Sequence, residues 1–75
     1  NPMVDIAILY TKAALLNSKL DLSFVLYDVL GREVRNLEIE HPQTPINRGN
    51  LERGLYFYQV INGNAVLKAG KILME

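Results

Sequence analysis

Any chemistry in this chain has to come from one histidine, a few scattered aspartates, two lysines near the end and four tyrosines. His41 stands between Glu40 and Pro42. As a general base it would need a nucleophile or a second titrating group carried to it by another segment, and no nucleophile motif is present. Its neighbours favour a solvated loop histidine. Asp5, Asp21 and Asp28 offer carboxylate oxygens to a hard cation, but they lack the alternating ligand spacing of a calcium loop. Asp28, three residues before Gly31, suits a turn better than a metal. Lys68 and Lys71 could form a small basic patch, yet lysines also protect the edge of a sheet, and a solvated edge of the last strand is the simpler reading. Tyr10, Tyr27, Tyr56 and Tyr58 could line a carbohydrate-binding face. For Tyr56 and Tyr58, core packing against Ala and Leu partners on a neighbouring strand is the better explanation. The residues therefore identify no catalytic group, metal ligand or cofactor motif, and the chain reads as a non-enzyme.

Composition narrows the classes further. Seventy-five residues make one small domain, 1–75, whose stability should be a few kcal/mol. Eight basic and eight acidic residues cancel and are scattered singly, so no basic stripe points to nucleic acid or an anionic membrane surface. Cysteine is absent, which excludes disulfides and thiolate metal sites and, taken alone, leans towards the cytosol. No apolar run approaches the ~20 residues of a membrane span, and no N-terminal signal peptide is visible. The opening at Asn1-Pro2 rather than at an initiator Met leads us to expect a domain cut from a longer protein.

The elements that must position these residues are strands. Leu20–Val34 organises the chain. Leu20, Leu22, Phe24 and Leu26 alternate with Asp21, Ser23, Val25 and Tyr27, the period of a strand. Both faces are apolar from Phe24 to Tyr27, so this strand belongs inside its sheet. Asp28-Val29-Leu30-Gly31 then spells a type I turn followed by a glycine in the left-handed conformation, which makes a hairpin with a glycine bulge. Arg32-Glu33-Val34 begins the return strand, Glu33–Glu40. Upstream, Asn1-Pro2 is an extended lead-in, Asp5–Thr11 a first strand, and Lys12–Lys19 a connection with at most one helical turn. Downstream, His41-Pro42-Gln43-Thr44-Pro45 halts the return strand, and Ile46-Asn47 adds a short one.

The spacing of Leu51, Gly54 and Tyr56 resembles the tyrosine corner of Greek-key sandwiches, in which a Tyr hydroxyl bonds the backbone a few residues upstream. Leu55–Ile61 follows as a strand. Asn62-Gly63 predicts a two-residue type I′ hairpin pairing Val60 with Ala65, Tyr58 with Leu67 and Tyr56 with Ala69. Gly70 suggests a bulge in the last strand, which Lys71–Glu75 completes. About six or seven short strands at this spacing suit an all-β, two-sheet antiparallel β-sandwich better than a closed barrel.

Three stretches carry a resemblance to a known family. Tyr27-Asp28-Val29-Leu30-Gly31-Arg32-Glu33-Val34, then Leu51 followed by Gly54-Leu55-Tyr56-Phe57, then a lysine-containing last strand, resemble in order and spacing the C-terminal sorting domain (type A) of the bacterial type IX secretion system. Asn1-Pro2 is similar to the Asn-Pro that commonly opens that domain. The resemblance covers essentially the whole chain and implies an immunoglobulin-like β-sandwich without cofactors. It implies attachment behind an N-terminal cargo that crosses the inner membrane by its own signal peptide. The domain then directs that cargo across the outer membrane to the cell surface. The implied partners are the outer-membrane secretion and sortase machinery, with cleavage upstream of the domain or near Asn1. Carried over by position, Asp28, Gly31 and Arg32 match the first family motif, Gly54 and Tyr56 the second, and Lys71 the terminal one. Two departures stand out: Lys12–Lys19 is longer than the usual first loop, and Ala69-Gly70 replaces a more continuous basic and β-branched stretch. The alternative reading is an accessory β-sandwich of a secreted enzyme, binding carbohydrate or packing on a catalytic domain.

Overall fold

The computed structural model describes residues 6–10, as backbone, and 21–74. The extended lead-in at Asn1-Pro2 and the connection at Lys12–Lys19 lie outside the described residues. The elements in chain order are β1 (Ile6–Tyr10), β2 (Leu22–Tyr27), β3 (Glu33–Glu38), β4 (Gln43–Asn47), β5 (Gly54–Asn62) and β6 (Ala65–Met74). All pairings among the described residues are antiparallel. Four strands form one sheet in the order β3-β2-β5-β6, and β1 pairs with β4 in a second.

β2 lies between β3 and β5, as its two apolar faces require. Leu22, Phe24 and Leu26 are at most 3% exposed on one face, and Val25 is 1% exposed on the other. The first three join Tyr56 and Val60 of β5, Met74 of β6, Ile39 and Ile46 in one buried cluster. Burying each such side chain contributes roughly 1.5–3 kcal/mol of transfer free energy. Phe24 stacks on Tyr58 with ring centroids 5.5 Å apart and planes at 22°.

Three local readings need correction. Pro45 does not precede the fourth strand but lies within it, opposite Ile8 of β1. Among the described residues β4 pairs on one side only, so a proline lacking an N–H can sit there without breaking a ladder. The β5–β6 hairpin also turns one residue later than predicted, at Gly63-Asn64. Asn62 pairs with Ala65, Tyr58 with Gly70 and Tyr56 with Ile72. Gly63 has φ +57° and no described non-glycine residue has positive φ, the pattern of a II′ turn with glycine in its first central position. Asn62 stays in the strand because its side-chain oxygen accepts the Asp21 N–H at 3.2 Å, where β2 begins. The register shift in β6 falls between Val66 and Lys68, leaving Leu67 as the extra residue, and Gly70 lies in regular pairing.

Candidate functional site

The first motif is a turn closed by its own side chains. The Gly31 N–H donates to the Asp28 carbonyl at 3.0 Å and the Asp28 N–H to the Arg32 carbonyl at 2.9 Å. Gly31 takes φ +84°, a conformation costly for a residue with a Cβ. Asp28 Oδ1 accepts the N–H groups of Leu30 and Arg32, each at 2.9 Å. Asp28 Oδ2 accepts Arg32 Nε at 2.7 Å. The Arg32 backbone N–H, with further help from its guanidinium and the Leu30 N–H, holds the Asp28 carboxyl below its ordinary pKa. The Arg32 side chain is nonetheless 72% exposed against 14% for Asp28, so the turn displays a guanidinium on a fixed base.

The second motif is a tyrosine corner. Tyr56, 6% exposed, donates its hydroxyl hydrogen to the Glu52 carbonyl at 2.5 Å. That bond pins the loop leading into β5. Gly54 takes φ +141° at the first residue of the strand, a region essentially reserved for glycine. Lys71 sits on β6 opposite Phe57 and is exposed.

β-Sheet pairing brings these separate stretches together. Asp28, Gly31 and Lys71 line one open hollow of about 700 Å³ with Tyr27, Phe57 and Gln59. Asp28, Arg32, Gly54 and Tyr56 line a second of about 470 Å³ with Leu51 and Arg53. Asp28 and Val29 border both, so the hollows adjoin and all six motif residues contribute to one of them. Tyr27 Oη donates to Gln59 Oε1 at 3.2 Å across the first. Val29 and Leu30 project at the turn, 65% and 75% exposed. Such an arrangement sets apolar surface beside exposed cations.

The family model of the secretion system C-terminal sorting domain matches residues 1–75, the whole chain. The chain belongs to that family, the C-terminal sorting domain of the type IX secretion system. No curated protein and no solved structure matches it. Sorting domains of this family are not catalytic. Among the described residues no helix is long and apolar enough to cross a membrane.

The remaining candidates fall elsewhere on the sorting domain. His41 is exposed in the connection between β3 and β4, and Asp21 is exposed before β2. Lys68 is exposed on β6, the edge strand of the larger sheet, which is the solvated-edge reading. Asp5 and the Tyr10 side chain lie outside the described residues. Sequence reasoning missed Arg35 and Arg48. Arg35 donates from Nη1 to the Val34 carbonyl at 2.7 Å and from Nη2 to the Arg48 carbonyl at 3.0 Å. Arg48 Nη1 donates to the Leu51 carbonyl at 2.8 Å, and the Leu51 N–H returns to the Arg48 carbonyl at 3.0 Å. This pair ties β3 to the loop below the tyrosine corner. The signal was a single Arg inside β3 and another just after β4, too common to single out.

Proposed function

We propose that this sorting domain is a non-enzymatic signal that directs an attached N-terminal cargo across the outer membrane to the cell surface through the type IX machinery. The observation that carries the reading is the match of the sorting-domain family over residues 1–75. The shared placement of its motif residues supports a recognition role for Asp28, Gly31, Arg32, Gly54, Tyr56 and Lys71, which converge on two adjoining hollows. In this reading Asp28, Gly31, Gly54 and Tyr56 hold the surface in shape, while Arg32 and Lys71 face the machinery. The two sheets are the halves of an immunoglobulin-like sandwich, a reading supported by Ile46 of β4 sharing a buried cluster with Phe24 and Leu26 of β2. Sortase cleavage then falls at or upstream of Asn1.

The test is a passenger carrying its own inner-membrane signal peptide, fused ahead of residues 1–75 and expressed in a host with the type IX machinery. Fractionation should find the passenger at the cell surface. Periplasmic retention of the intact, folded fusion overturns the proposal. An accessory module of a secreted enzyme would leave the passenger in the periplasm, and its removal would weaken substrate binding by the parent enzyme. Deleting residues 71–75 would take the buried Met74 out of the core, so Lys71→Ala and Arg32→Ala are the cleaner probes, since both side chains are exposed.

A further inference from the structure

β6 is the last strand in the order β3-β2-β5-β6, and no described residue pairs with its outer edge. From Lys68 to Met74 it pairs with Val60–Gly54 without a register shift. Alternate residues of that run therefore turn N–H and C=O groups to the open side in a regular row, which another extended segment can continue. Leu67, the extra residue, ends the regular run on one side.

The chemistry of this edge is one-sided. Lys68 and Lys71 are the only charged residues in β6, and both are exposed. On the face that carries Lys71, Leu73 is 50% exposed, and their partners across the ladder, Phe57 and Leu55, are 40% and 39% exposed. A second copy pairing antiparallel about Lys71 would set the two Lys71 side chains opposite each other, and like charges opposed across a ladder are destabilising. An acidic strand meets the opposite situation.

We infer that the open edge of Lys68–Met74 receives an extended acidic strand, with a carboxylate beside Lys71 and an apolar residue two positions on, beside Leu73. Main-chain bonds supply the affinity and the alternating side chains the selectivity. That the strand belongs to the outer-membrane secretion machinery rests on the sorting reading; the chemistry of the edge does not.

The experiment titrates the isotope-labelled 75-residue chain with a capped heptapeptide, Thr-Thr-Glu-Thr-Val-Thr-Thr, and with the same peptide carrying Lys in place of Glu. Amide exchange and chemical shifts are followed by NMR. The Glu peptide should slow exchange at those β6 amides that do not bond β5, and its affinity should fall as salt rises. Lys71→Glu should weaken it about three- to tenfold and turn the preference towards the Lys peptide. Lys71→Gln, which removes the charge at the same exposed position without reversing it, keeps the test open if the first variant unfolds. Absence of binding at millimolar peptide, equal affinity for the two peptides, protection away from β6, or self-association of the chain through β6 would each overturn the inference. Export separates it from the broader proposal. Undiminished export of a Lys71→Glu fusion overturns the assignment of that strand to the secretion machinery and leaves sorting standing. Periplasmic retention of the intact fusion alongside peptide binding at β6 overturns sorting and supports the edge inference.

Discussion

Tyr58 lies across Gly70, its partner on the neighbouring strand, so closely that a Cβ on the glycine would come 2.6 Å from the ring's Cε2 and 2.7 Å from its hydroxyl oxygen. Tyr58 also stacks on Phe24. Its ring is therefore held between a core aromatic and bare backbone, and Gly70 is required for space rather than for its torsion angles.

Gly70→Ala should accordingly destabilise the domain by about 1–3 kcal/mol, the usual cost of overpacking. Urea midpoints measure it. Tyr58→Leu in the same chain should recover part of the loss, because residues in contact do not act additively. An unchanged midpoint for Gly70→Ala would contradict the packing.

Tyr56→Phe removes the hydroxyl that bonds the Glu52 carbonyl while keeping the buried ring. The expected loss is about 0.5–1.5 kcal/mol, with the fold retained. Full stability in the variant, or a Tyr56 hydroxyl that exchanges freely with solvent, would rule out the tyrosine corner as a clamp.

Gly31→Val and Gly54→Val test backbone strain alone, since a Cβ at either position meets nothing within 4 Å. With φ at +84° and +141°, each substitution should cost more than the ~1 kcal/mol of a random one. Gly31→Asn should be milder than Gly31→Val, because Asn tolerates the left-handed region and valine does not. Equal urea midpoints for wild type and both valine variants would refute the assignment.

Asp28 predicts a pH dependence. Its pKa is lowered in the folded state, chiefly by the Arg32 N–H, from an unfolded value of about 3.9. The folded state thus favours the carboxylate. The associated stability is fully present above the unfolded value and is lost as pH falls from about 4 through the lower folded value. Asp28→Asn should flatten that acid limb while leaving the slope near neutral pH unchanged. Urea midpoints measured from pH 7 to pH 2.5 for both proteins decide it, and parallel curves would show that Asp28 gains nothing from its turn.

Residues a few positions apart determined much of this protein by themselves. Asp28 and Gly31 bond across a single turn, Tyr56 reaches back four residues to Glu52, and the alternation from Leu22 to Tyr27 marks a central strand whatever its neighbours are. Each of these is settled by contacts that the chain makes with itself locally, so residue type and spacing suffice. The order and spacing of the same motifs also carried the family.

Register and convergence were decided only by the tertiary structure. Asn62-Gly63-Asn64 permits two turns one residue apart, and the choice depends on Asn62 capping Asp21, which lies 41 positions away in sequence. Pro45 is compatible with a strand only because β4 pairs on one side, a fact about sheet order among the described residues and not about proline. The hollows form because β2 pairs with β5 and β5 with β6, which carries Asp28, Tyr56 and Lys71 to neighbouring positions from three distant stretches. Local propensities set which residues extend and which turn. Long-range hydrogen bonds and shared burial select one register from several that the same local pattern allows.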